Sequence, residues 1–268
     1  MKILFIGDIV ARPGRGLVSK YLPDIKKEHN VDFVVANADN LAHGRGATTG
    51  TINEMLSAGV DFFTGGDHLF WHKGFEDEID ALPVLRPVNL PDTNPGRGYE
   101  LVDLGEKGSV LVISLMGRTF LNEHLESPFA KVDEILEDFS GADGGGTSTS
   151  KPTAILVDFH AEATSEKYAM GFYLDGRVDA LLGTHTHVPT CDNMVLPEGT
   201  MFVSDVGMTG IVDSILGVEK EIILRMFLTG RRQKFEWENT GRKAFRSVVL
   251  DTESKAIERV DIFEDEIS

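Results

Sequence analysis

The chain has a single cysteine, a deficit of positive charge and no long apolar run. Cys191 is the one cysteine among 268 residues. That excludes an intrachain disulfide and a thiolate zinc cluster. Lysine and arginine number 26 against 43 aspartates and glutamates, a net charge of −17. A field of that sign repels polyanions, which argues against generic nucleic-acid binding and against anionic membranes. A small anionic substrate remains open wherever a metal ion supplies local positive charge. No stretch approaches the roughly 20 apolar residues that span a bilayer. The N-terminal apolar run is broken by Gly7 and Asp8, short of a secretory signal. These absences predict a soluble, cytoplasmic protein, and the length suits one large α/β domain over residues 1–268.

What the chain has instead is a repeated unit of strand, polar cluster and helix. Residues 3–6 read as a continuous apolar strand, as in a sheet covered on both faces, and stop at Gly7-Asp8. Pro13-Gly14-Arg15-Gly16 then precedes Leu17, Val18, Tyr21, Leu22 and Ile25 at helical spacing. Residues 31–36 form a second apolar run that stops at Asn37-Ala38-Asp39-Asn40. A helix is expected over 48–57, with Gly59 as its stop, and a third strand over 60–64, closed by Gly65-Gly66-Asp67-His68. Two later strands behave alike: Ile155-Leu156-Val157-Asp158-Phe159 stops at His160, and the run after Val178 stops at His185-Thr186-His187. Such a pattern predicts an α/β fold, a layered sandwich of parallel or mixed sheets flanked by helices, with its site along one edge. Further expectations are a short helix at 75–81, a hairpin of 99–104 with 110–115, and helices at 128–139 and 218–228. Strands are expected at 200–204 and 247–251, with a last edge strand at 257–263. The Gly/Ser-rich stretch 140–150 is expected to be a flexible surface loop inside the domain.

Asp8, Asp39, Asn40, Asp67, His68, His160, His185 and His187 all fall at or just after strand ends. Taken alone, Asp8 suits a helix N-cap as well as it suits a ligand, and a lone histidine is more often an ordinary residue. Eight such groups at one structural address point to a metal centre instead. Oxygen and nitrogen donors without sulfur suit iron, manganese or zinc. An extended backbone would put His185 and His187 on one side, where they serve either two metals or the same one.

These runs, together with Gly183-Thr184-His185-Thr186-His187, Gly117-Arg118-Thr119-Phe120 and Ser204-Asp205-Val206-Gly207-Met208-Thr209-Gly210, resemble the calcineurin-like metallophosphoesterases. Within them the chain is most similar to the YmdB family of bacterial cyclic-nucleotide phosphodiesterases, over nearly its full length. The stretch 140–150 looks like an insertion relative to that family. The resemblance implies a single metallophosphoesterase domain with a dinuclear centre of iron or manganese. Asp8, Asn40 and His187 would hold the first metal, and Asp67, His160 and His185 the second. Asp39 would bridge the pair, and His68 would be the general acid without being a ligand. Two positions depart from the family pattern: Asp39 stands where Glu is usual, and Asp67 where Asn is usual. A homo-oligomer is also implied.

The expected reaction is hydrolysis of small 2′,3′- or 3′,5′-cyclic nucleotides by a hydroxide held between two metals. Arg45 and Arg118 are candidate phosphate contacts, since a guanidinium bonds two phosphoryl oxygens at once. His43, in the loop after Asp39, is a candidate substrate contact. Trp71 and Phe70 are read as core residues, with base stacking the lesser alternative. Two other readings use the same residues: a phosphomonoesterase, or a regulatory protein that binds metal and nucleotide but turns over poorly.

Overall fold

The computed structural model describes residues 1–121, 124–139 and 151–265, so the stretch 140–150 lies outside the described residues. The first half contains β1 (Lys2–Ile6), α1 (Ala11–His29), β2 (Phe33–Asn37), α2 (Thr49–Ser57), β3 (Phe62–Thr64), β4 (Tyr99–Asp103), β5 (Ser109–Met116) and α3 (Pro128–Phe139). The second contains β6 (Ala154–His160), α4 (Thr164–Tyr173), β7 (Ala180–Thr184), β8 (Met194–Val195), β9 (Met201–Val203), β10 (Gly210–Ile211), α5 (Lys220–Thr229), β11 (Lys243–Asp251) and β12 (Ala256–Glu264).

Among the described residues these strands make two mixed six-stranded sheets. In the first, β1, β2 and β3 run parallel, and β11 closes antiparallel on β1. β12 covers the far side of β11 as the expected edge strand. In the second, β5, β6, β7 and β9 run parallel, with β4 antiparallel on β5 and β8 on β9. Alternation along β1 shows how the layers form. Ile3 and Phe5 enter the core between the sheets, with Phe33, Val112, Leu156 and Leu182. Leu4 and Ile6 face α1 and α2, where Leu17, Leu22 and Ile52 pack. Leu111, Val157 and Leu181 of the second sheet face α3 and α4 in the same way. The result is the expected layered α/β sandwich. Phe5 is fully buried, and truncating such a ring to alanine costs about 3–5 kcal/mol.

Local departures have local causes. α1 begins at Ala11, so residues 13–16, ahead of Leu17, are already helical. Pro13 falls in the first turn, where its missing N–H has no helical partner to lose. Val10 is the cap residue and gives no side-chain bond, so Asp8 is not an N-cap. α2 is opened by a reciprocal Thr48–Thr51 capping box. The expected helix at 75–81 is two 3-10 turns, Phe75–Asp77 and Ile79–Ala81.

Candidate metal centre

The C-terminal ends of β1, β2, β3, β6 and β7 converge on one edge of the sandwich. Asp8 follows β1, Asp39 and Asn40 follow β2, Asp67 and His68 follow β3, His160 ends β6, and His185 and His187 follow β7. The structure brings all eight together. His187 Nε2 lies 3.2 Å from Asn40 Oδ1 and 3.8 Å from Asp8 Oδ1. His160 Nε2 lies 3.1 Å from Asp67 Oδ1 and 3.0 Å from His185 Nδ1. Asp39 sits between the groups: its Oδ2 is 3.6 Å from His160 Nε2 and 3.1 Å from His68 Nδ1.

The extended geometry expected at 185–187 is not what forms. β7 stops at Thr184, and His185 and His187 take positive φ values of 93° and 64°. The backbone therefore twists between them. His185 turns toward Asp67 and His160, and His187 toward Asp8 and Asn40. Asp205 fixes this turn: its Oδ2 accepts from Thr186 N at 3.1 Å and Thr186 Oγ1 at 2.6 Å. Lys167, also fully buried, donates to the same oxygen at 2.8 Å.

Each of the three clustered imidazoles has its outward nitrogen engaged. His160 Nδ1 is 2.9 Å from Thr184 Oγ1, whose hydroxyl donates to Asp158 Oδ1 at 2.8 Å. His185 Nε2 is 3.1 Å from Glu162 Oε2, and His187 Nδ1 is 3.1 Å from the carbonyl of Leu216. All three partners accept a proton, so His160 Nε2, His185 Nδ1 and His187 Nε2 are left with lone pairs facing inward. This is the usual preparation of a ligating histidine.

Charge and burial agree. Asp8 Oδ2 accepts from His185 N at 3.2 Å, while Asp8 Oδ1 is buried without a hydrogen-bond partner. An orphaned buried carboxylate oxygen costs free energy unless a cation meets it. Asp67, His160 and His185 place donor atoms close enough to share one ion, as do Asp39, Asp67 and His68. Without a metal, protons fill part of this role. Burial lowers the pKa of His68, but Asp39 and Asp67 override it and carry it up to about 10. Burial likewise opposes the charge on His160, and Asp39, Asp67 and Asp8 carry it up to about 9. Asp67 is held well below the usual carboxylate range: burial works against that, but hydrogen bonds from His160, His185 and His68 outweigh it. Gly66 keeps the cluster tight, since a Cβ there would come within 2.3 Å of His160 Nε2.

The cluster opens into a cleft of about 340 Å³. One wall holds Asp39, Asn40, His68, His185 and His187, and the opposite wall is apolar, with Leu216, Met226, Phe227, Phe235 and Trp237. Arg45 reaches this cleft. His43 does not line it and faces a neighbouring hollow. Arg118 does not line it either: it is exposed beyond β5, where its backbone N–H is held by Glu166.

A YmdB-like protein family pattern matches residues 4–263. The chain belongs to this family. It is 41% identical over 263 residues to a Bacillus subtilis (strain 168) 2′,3′-cyclic-nucleotide 2′-phosphodiesterase, covering 98% of this chain and 95% of the relative. A crystal structure of a hypothetical protein from Thermus thermophilus superposes with a TM-score of 0.89 at 41% identity, over 98% of this chain and 100% of that one. A Mycoplasma pneumoniae crystal structure titled a novel phosphatase gives 0.88 at 30% identity, over 100% and 95%. These likenesses bear out the expected family, fold class and phosphate-ester hydrolase class.

Several residues of the YmdB-like site were not picked out as site residues in the sequence. Glu162 and Leu216 hold His185 and His187, and both also line the cleft. Asn37, Thr64, Asp158 and Thr184 form a buried network that ties the two sheets together beneath the site. Its one sequence signal is the aspartate inside Ile155-Leu156-Val157-Asp158-Phe159, too costly to bury unless hydrogen-bonded. Burial pushes this Asp158 carboxyl up to about 6, against the pull of His160, Thr64, Asn37 and Thr184.

Proposed function

We propose that this chain is a cytoplasmic metal-dependent phosphodiesterase, working as one metallophosphoesterase domain on small cyclic nucleotides, 2′,3′-cyclic, 3′,5′-cyclic or both. The substrate class follows the name of the Bacillus subtilis relative. The observation that carries the reading is the orphaned Asp8 Oδ1, buried 3.8 Å from the inward-facing Nε2 of His187. Asp8, Asn40 and His187 would hold one ion, and Asp67, His160 and His185 a second, with the carboxylate of Asp39 between them. A donor set of oxygen and nitrogen suits iron or manganese. A homo-oligomer fits the family expectation.

Two ions there would supply Lewis-acid polarisation of the phosphoryl group and acidify the attacking water. The protein's own groups do the rest. His68 gives Nδ1 to Asp39, which leaves Nε2 to carry a proton toward the leaving oxygen. Arg45 offers a planar fork to the phosphoryl oxygens. Phe227, Phe235 and Trp237 give the cleft an apolar side beside the reacting centre.

The test is elemental analysis of protein purified without chelator, with manganese-supplemented assays on bis-p-nitrophenyl phosphate, p-nitrophenyl phosphate and a 2′,3′-cyclic nucleotide. About two ions per chain and diester hydrolysis are expected. Trace metal without rebinding, or a preference for the monoester, overturns the reading.

A further inference from the structure

A second hollow of about 400 Å³ lies beside the metal cleft, and the two share Arg45, Phe235 and Trp237 as a common wall. Its own side is lined by His43, Trp71, His72 and Lys234. Among the described residues no aspartate or glutamate lines it, although acidic residues outnumber basic ones 43 to 26 in the chain. The two tryptophans of the protein both face it. Trp71 is 59% exposed, against the expectation that it packs in the core, whereas its neighbour Phe70 does pack there.

Arg45 is held without using its hydrogen-bonding groups. Its guanidinium lies 4.9 Å from the Trp71 ring centre and 5.0 Å from that of Phe235, a cation held between two aromatic faces. Arg15, Arg97, Arg177 and Arg246 each pair with a carboxylate. Among the described residues Arg45 has no ion pair and no side-chain hydrogen bond. Its N–H groups are thus oriented by stacking while none is engaged, which suits an anion arriving between the two hollows. The His72 ring is fixed as well, with Nε2 3.1 Å from the carbonyl of Ala42. Gly44 lets the loop carrying His43 and Arg45 lie flat against Trp237, where a Cβ would come within 2.0 Å of the indole.

We infer that the second hollow is a subsite for one further nucleotide. Its base would stack on exposed indole, and its phosphodiester would meet Arg45 and Lys234, while the terminal cyclic phosphate occupies the metal cleft. This rests on the proposed phosphodiesterase reading and narrows its substrate class to short oligonucleotides ending in a cyclic phosphate. The −17 charge still disfavours long polyanions, but a dinucleotide carries only two phosphates, and Arg45 and Lys234 meet them locally. Stacking on an aromatic ring, with phosphate held by arginine and lysine, is the general mode of sequence-tolerant single-strand binding.

The decisive experiment compares a dinucleotide ending in a 2′,3′-cyclic phosphate with the matching cyclic mononucleotide, both by kcat/KM and by quenching of tryptophan fluorescence. The fluorescence arm uses the non-cyclic 3′-phosphorylated dinucleotide and needs no turnover. The dinucleotide should be favoured by about ten-fold or more. Trp71→Ala should collapse that ratio, Trp71→Phe should restore most of it, and Lys234→Ala should weaken the salt dependence of dinucleotide binding. Equal kcat/KM for the two substrates overturns the subsite. So does an equal loss on both in Trp71→Ala, which would mean that the mononucleotide's own base fills the hollow or that Trp71 acts through His68, whose ring it meets edge-on at 6.0 Å. Dinucleotide quenching that persists when neither substrate is hydrolysed would sink the phosphodiesterase reading and leave the subsite standing. Hydrolysis of the mononucleotide with no dinucleotide quenching would do the reverse.

Discussion

The hydroxyl of Thr184 stands 2.9 Å from His160 Nδ1 and accepts its proton. A hydroxyl has one proton to give, and Thr184 gives it to Asp158 at 2.8 Å. The chain Asp158–Thr184–His160 thereby fixes which imidazole nitrogen faces the cluster, although neither Asp158 nor Thr184 belongs to the proposed ligand set. Thr184→Val keeps the shape and removes the relay. The protein should fold, and the site holding His160 should lose metal affinity by about 10–100-fold. Metal titration of the purified variant checks this. An unchanged affinity would mean that packing alone orients the ring.

A second prediction concerns the turn that separates His185 from His187. Asp205 holds it, and Lys167 neutralises Asp205 in a site where both side chains are at most 2% exposed. Lys167→Met leaves a buried carboxylate without its cation, which costs about 3–5 kcal/mol. Urea unfolding should show that loss, and the metal content should fall with it because Thr186 shares the same oxygen. A loss below about 1 kcal/mol would place the charge of Asp205 elsewhere.

The fold was legible because hydrophobic pattern and burial coincide. Each apolar run that ends in a polar cluster became a strand with its C-terminal end at the site, and the pattern at 3–6 reads directly as the alternation of Ile3 and Phe5 against Leu4 and Ile6. The same logic gathered the eight site residues, because strand ends are few and share one edge. What the sequence did not yield depends on contacts between distant segments. Nothing local marks the carbonyl of Leu216 as the partner of His187. Nothing in Trp71 foretells that Arg45 will take one side of it and leave the rest in solvent. The twist at 185–187 was missed because positive φ at a non-glycine residue is offset by tertiary contacts, here those of Asp205 and Asp8.

The raised pKa values give a third prediction, for the metal-free protein. His68 and His160 titrate near 10 and 9 when folded, against about 6.5 in an unfolded chain. Folded-state values above the unfolded ones mean that the protonated imidazoles stabilise the fold. That stabilisation is complete below about pH 6.5 and is lost as pH rises through 9 and 10. Chelated protein should therefore show a Tm that falls across this window. Metal-loaded protein should not, because ions replace the protons and release them on binding. A flat or rising Tm in the chelated protein would show that the carboxylates are not balanced by these imidazoles.

The last prediction separates the role of His68 from that of its neighbours. His68 Nδ1 touches Asp39 and Asp67 at 3.1 and 3.3 Å, close enough to be mistaken for a ligand. If it acts as a general acid, His68→Ala keeps the metal stoichiometry and lowers turnover of a cyclic nucleotide by about 10²–10⁴-fold. The loss should shrink for bis-p-nitrophenyl phosphate, whose leaving group is acidic enough to depart without a proton. Metal loss in the variant would make His68 a ligand. An equal loss on both esters, with metal retained, would make it a positioning group for Asp39, the carboxylate to which Gly66 N and His68 N also donate at 2.7 and 3.0 Å.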